Sequence, residues 1–123
     1  MASAVRSFHD LKVWQLAMEL VPEAYRVARG LPTLERFELA SQIRRAAVSI
    51  PANIAEGQAR QHTREFVQHL SIARGSLAEL QTLLFLAERL GYLQPEALRS
   101  CQEMIPNVRM MLPGLLTRLQ ERD

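Results

Sequence analysis

The chain is poor in much of what small functional proteins rely on. Cys101 is the single cysteine among 123 residues. It has no partner for an internal disulfide, which fits a reducing cytoplasm. Lys12 is the only lysine, so the other basic side chains are arginines. Five glycines and six prolines exclude a collagen-like or flexible-linker chain. Aromatic residues make up 6%. No apolar run approaches the ~18 residues a membrane-spanning helix needs. The opening stretch, Met1 to Asp10, lacks the apolar segment of a signal peptide. Hairpin signals such as Asn-Gly or Asp-Gly are missing, as is sustained period-2 alternation, so strands are not expected. There is no phosphate-binding glycine loop and no Gly-x-Ser-x-Gly elbow.

What is present is helical periodicity. A chain that is 48% hydrophobic and 23% charged is ordinary for one folded domain, taken as residues 1–123. Leu98, Cys101, Ile105, Val108, Leu112, Leu115 and Leu119 alternate steps of three and four, the spacing of a helical core seam. Phe66, Leu70, Ala73, Leu77, Leu80, Leu84 and Ala87 do the same. Trp14, Ala17, Val21, Ala24 and Ala28 form an earlier stripe flanked by Leu20 and Tyr25, and Leu39, Ile43, Ala47, Ile50 and Ile54 form another. Gly30 with Pro32 ends the first segment, and Thr33 with Glu35 starts the second. Gly57 ends the second, Thr63 with Glu65 opens the third, Gly91 closes it, and Pro95 with Glu96 opens the fourth. These signals predict helices near 9–29, 34–57, 63–90 and 95–121. The connections are short enough to force neighbours antiparallel, giving an all-α, up-down-up-down four-helix bundle. Pro22, Pro51, Pro106 and Pro113 fall inside the stripes and should bend the helices, producing a bent bundle. Pro51 frees the Ala47 carbonyl, and Ser49 or Asn53 is close enough to help satisfy freed backbone.

Enzymatic constellations are weak. Cys101 lies on the core seam, where a structural thiol is the simpler reading than a nucleophile. Glu65 and His69 give one loose half of a di-metal helix pair, without the second half. His62 and His69 share a face but have no Cys or Asp nearby. No catalytic residue, metal or cofactor is assigned.

The charge pattern is more informative than the total of +2. Residues 1–35 sum to zero, while residues 36–74 carry six arginines against Glu38, Glu56 and Glu65. Residues 75–105 sum to −2 and residues 106–123 to +1. The middle third is the basic part, which allows nucleic-acid contact. Arg60 and Arg64 stand at the turn before the third helix, where free backbone N–H groups also favour an anion. Arg45 falls on a polar face. Arg74 has no carboxylate on its own helix placed to pair with it. The alternative for all four is plain solvation or pairing with a nearby glutamate.

Apolar residues also flank the core stripe of the third helix, with Ile72, Leu83 and Leu86 on one side and Val67 and Phe85 on the other. Gly75 points away from the core, where it costs about 1 kcal/mol relative to alanine. With Ser71 and Ala78 it makes a strip of small residues. Arg44 shares a flank with Phe37, Val48 and Ala55, a setting suited to a subunit contact with a paired carboxylate. These features predict an oligomer interface that includes Phe37, Arg44, Val48, Ile72, Gly75, Leu83, Phe85 and Leu86. Wide packing within one chain is the alternative.

The block Gln42-Ile43-Arg44-Arg45-Ala46-Ala47-Val48-Ser49-Ile50-Pro51-Ala52-Asn53-Ile54-Ala55-Glu56-Gly57 is distinctive. With Arg60, Glu65-Phe66, the run from Ile72 to Leu80, the opening Phe8-x-x-Leu11-x-Val13-Trp14-Gln15 and Leu90-Gly91-Tyr92-Leu93, it resembles a bacterial family. These are the four-helix-bundle proteins encoded in intervening sequences of large-subunit ribosomal RNA genes. Members of that family resemble in turn the accessory protein Avd of diversity-generating retroelements. The resemblance implies a bent bundle assembled as a ring-like homopentamer with a basic surface. Its Avd relatives bind nucleic acid and a reverse transcriptase.

The expected function is therefore a non-enzymatic, oligomeric bundle that binds nucleic acid, RNA favoured, through a basic surface repeated around a ring. The alternative is a protein–protein scaffold, or a reverse-transcriptase accessory factor without strong nucleic-acid binding of its own. Its expected location is the cytoplasm, away from membranes.

Overall fold

The computed structural model describes residues 8–121, with side-chain environments for all of these except Asp10 and residues 113–121. A short 3₁₀ turn, Phe8–Asp10, leads into α1 (Lys12–Arg29), and a second 3₁₀ turn, Thr33–Glu35, precedes α2 (Leu39–Ala59). The helices α3 (Thr63–Arg89) and α4 (Pro95–Glu121) follow. No strand occurs among the described residues, and the fold is an all-α four-helix bundle.

Each helix packs on its neighbours in the chain, and α4 returns to α1, closing a square. Cross-links show the alternating direction. Ser49 meets Ser76 and Asn53 meets His69, so α2 and α3 run in opposite senses. Arg26 near the end of α1 donates to the Ala97 carbonyl at the start of α4 (3.1 Å). Arg109 of α4 reaches Gln81 of α3.

The core is the set of stripes meeting in the middle. Leu20, Ile43, Ile50, Ile54, Leu70, Leu77, Leu80, Leu84, Leu98, Ile105 and Leu112 are fully buried. Each such side chain contributes roughly 1.5–3 kcal/mol when removed from water. The seams of α2, α3 and α4 fall where their periodicity puts them, although Phe66 is only half-buried. Leu115, Leu119 and Pro113 lie outside the described side chains. In α1 the buried stripe is Val13, Ala17, Leu20, Ala24, Val27 and Ala28. Trp14 and Val21 sit at its edge instead of its centre. The helix is turned so that its small alanines face the interior, and Trp14 packs edge-on against Phe8 and His9.

Three expected boundaries move. Phe8–Asp10 is a separate turn, so α1 starts at Lys12. Thr33 does not start α2. It begins the 3₁₀ turn, and Glu35 then folds forward so that its Oε1 accepts from the Leu39 N–H (3.1 Å), covering an otherwise free donor of α2. Glu35 Oε2 accepts from the Tyr92 hydroxyl (2.8 Å), which ties this turn to the α3–α4 connection. At the other end α2 continues through Gly57 to Ala59.

Gly91 does close α3. It has φ +79°, and the Gly91 and Tyr92 N–H groups bond back to the Glu88 and Ala87 carbonyls (both 3.0 Å), a Schellman cap that needs a left-handed residue. The helices α1 and α2 run unbroken across Pro22 and Pro51, and α4 across Pro106.

Candidate nucleic-acid interface

The basic middle third forms α2, the turn after it and the first half of α3. A line of polar side chains runs between these two helices. The Ser49 and Ser76 hydroxyls share a hydrogen bond (2.7 Å). Asn53 Nδ2 donates to the Ser49 carbonyl (2.8 Å) and to Ser49 Oγ (3.0 Å). Its amide oxygen faces His69 Nδ1 at 3.0 Å, so that ring nitrogen carries the proton. Asn53 therefore serves the Ser49 carbonyl and not the Ala47 carbonyl freed by Pro51. Among the described residues no buried side-chain nitrogen or oxygen lacks a partner.

One turn on, Gly57 explains why α2 does not stop there. A Cβ at Gly57 would lie 2.6 Å from His69 Cβ and 3.0 Å from Phe66 Cδ1. The glycine is a point of close helix approach, inside the helix and buried.

The chain of contacts ends at the turn. Arg60 donates to Glu56 Oε2 (2.8 Å) and lies 3.7 Å from Glu65 Oε2, so it bridges the last turn of α2 and the first of α3. His69 Nε2 is 3.9 Å from the same Glu56 oxygen. The hydrogen bond from Arg60, and then the nearby His69, hold the Glu56 carboxyl below the ordinary carboxylate range. Arg60 is itself pushed above its usual value, chiefly by Glu56. Both carboxylates are engaged by Arg60. Glu65 and His69 are thus engaged with Arg60 and with Asn53 and Glu56, not with each other, and the described residues contain no cluster of three or more metal-ligating side chains.

Arg45, Arg64 and Arg74 are exposed and make no ion pair or hydrogen bond with a described residue. Antiparallel pairing places Arg45 level with the stretch of α3 near Glu79. At 1.5 Å per residue the three cations are therefore spread over about 22 Å along α2 and α3, with Arg74 on the flank of α3 that carries Gln81 and turns toward α4. They do not form a cluster.

The expected interface residues divide. Phe37, Val48, Ile72, Phe85 and Leu86 are exposed, and nothing lies within 4 Å of a Cβ at Gly75. Leu83 is a correction. It is 6% exposed and packs in the core, because α3 touches α2 and α4 at once and its buried arc widens to take in Leu83 and Ser76. Arg44 is half-buried and donates to the Arg36 carbonyl (3.2 Å), with no carboxylate partner among the described residues.

Cys101 is buried, and burial pushes its thiol up to about 11. The Ser49–Asn53–His69–Ser76 line and the packing role of Gly57 were not read from the sequence. The available signal was the spacing of Ser49, Asn53 and Gly57 four apart, a small and polar strip beside the Ile50 and Ile54 core positions.

The structure of a protein of unknown function from the S23 ribosomal protein family of Bacteroides thetaiotaomicron has the same fold. It is 25% identical with a TM-score of 0.77, over 85% of this chain and 97% of that one. None of the curated proteins matches. The profile of the family described as 23S rRNA-intervening sequence protein matches residues 9–114, nearly the whole bundle, and the chain belongs to that family.

Proposed function

We propose that this chain is a non-enzymatic homo-oligomer that binds nucleic acid, RNA favoured, through exposed arginines of α2 and α3 on each subunit. The observation that carries the reading is that Arg45, Arg64 and Arg74 of α2 and α3 are exposed and unpaired. The family's description refers to an intervening sequence of 23S rRNA, which favours RNA over DNA. Three phosphate contacts per chain give only weak, salt-sensitive binding. Repetition around an oligomer, expected to be the pentamer that the family resemblance implies, raises avidity by linking them. Exposed Phe37, Val48, Ile72, Phe85 and Leu86 supply apolar surface for self-association. Arg60, already held by Glu56 and Glu65, shapes the turn and contributes little net charge.

Electrophoretic retention of a structured RNA and a duplex DNA, at low and moderate salt, tests this. The Arg45→Ala, Arg64→Ala, Arg74→Ala variant should keep its oligomeric mass and lose retention. Arg60→Ala should lose much less. Each phosphate contact adds about 0.7–0.9 to the slope of log affinity against log salt. A wild-type protein that retains neither nucleic acid at low salt is a scaffold or an accessory factor to a partner such as a reverse transcriptase.

A further inference from the structure

Two exposed aromatic side chains, Phe85 and Phe37, stand in surroundings of opposite charge. Between the end of α3 and the start of α4 lies a groove of about 470 Å³ whose walls include Phe85, Glu88, Glu96, Leu98, Arg99 and Glu103. Phe85 is 55% exposed. The three glutamates and Arg99 sum to −2, and none of the glutamates pairs with a described residue.

On another side of the bundle, at the start of α2, stands a basic ridge. Phe37 is 79% exposed, a large ring in water with no cover from its own chain. The Arg36 guanidinium lies 5.2 Å from the centre of that ring, and Arg44 reaches back to the Arg36 carbonyl. Arg36 and Arg44 against Glu38 give +1, while Glu35 is turned inward to Tyr92 and the Leu39 N–H. An unpaired acidic groove with an apolar wall and an unpaired basic ridge with an aromatic tip are complementary in charge and chemistry.

We propose that the ridge of one copy, led by Phe37, seats in the α3–α4 groove of a second copy. This rests on the self-association proposed above and names its contact. The partner is the same chain because both halves of the match are on it, each uncovered within the subunit. The contact is heterologous, since a ridge meets a groove and not another ridge. Both features also lie at the same end of the bundle. The Tyr92–Glu35 hydrogen bond joins the turn before Phe37 to the turn before the groove. Successive copies therefore stand side by side at one height.

Two variants test the pairing, both at exposed positions. The ridge variant is Phe37→Asp; the groove variant is Glu96→Arg with Glu103→Arg. Helical circular dichroism and thermal midpoint check that each is folded. In light scattering each variant alone should fall from the wild-type mass to a single chain of 14.0 kDa. Mixed, they should form a one-to-one pair, because the first keeps an intact groove and the second an intact ridge. Retention of wild-type mass by either variant overturns the pairing while leaving self-association standing. Two folded single-chain variants that fail to combine overturn it as well, in favour of a two-fold contact between like surfaces. A wild-type protein that is itself a single chain at the same concentration removes self-association, and this contact with it.

Discussion

Gly57→Ala should destabilise the bundle, although the same change in a free helix would stabilise it. In an open helix the replacement gains about 1 kcal/mol, because alanine loses less conformational entropy on folding. At Gly57 the new methyl would sit 2.6 Å from His69 Cβ, 3.0 Å from Phe66 Cδ1 and 3.3 Å from the Phe66 carbonyl oxygen. His69 Cβ is fixed to the α3 backbone, so α3 itself must move away. Overpacking of this kind costs typically about 1–3 kcal/mol. The shift also pulls His69 from Asn53, a hydrogen bond worth about 0.5–1.5 kcal/mol net. The balance is a loss of roughly 1–3 kcal/mol, or at least several degrees in thermal midpoint for a domain of this size. Gly75→Ala is the internal control, since its Cβ meets nothing within 4 Å. It should gain up to about 1 kcal/mol. Urea unfolding of both, at two protein concentrations tenfold apart, separates fold stability from assembly. If Gly57→Ala stabilises the protein as Gly75→Ala does, the close approach of α2 and α3 is refuted.

Other consequences can be measured on the same protein. Cys101, buried and with its thiol near 11, should resist thiol reagents at neutral pH and react only at the rate of unfolding. Because Glu56 has a lowered value in the fold, its contribution is present above the ordinary carboxylate value of 4.5 and is lost as pH falls through the lower folded one. The thermal midpoint of Glu56→Gln should accordingly depend less on pH over that acid range than the wild type does. Tyr92, held neutral by its bond to Glu35, should ionise above the free-tyrosine value of 10.0 in an absorbance titration. The stability it provides is present below pH 10 and lost as pH rises through the raised value, and Tyr92→Phe should remove that alkaline limb.

The helix count, the antiparallel order and most of the core are legible along the chain. Burial in a bundle repeats every three to four residues, and short turns leave few ways to arrange four such stripes. The seam from Leu98 to Leu112 shows this, for every member is buried. Gly91 is equally legible, because a left-handed cap depends on its own φ and on bonds to carbonyls within one turn.

The tertiary structure decides what depends on a second helix. Two neighbours press on α3 at once, so its buried arc widens and Leu83 leaves the surface where its periodicity had put it. The same geometry turns α1 onto Val13, Leu20 and Val27 in place of Trp14 and Val21. Gly57 reads as a stop in one dimension, yet it is the place where His69 and Phe66 of another helix approach. Arg60 looks like a free cation until Glu56 and Glu65 arrive from both sides of the turn. Periodicity records which side of a helix faces inward, but a side chain's partner, and so its effective charge, is set by whichever neighbour the packing brings within reach.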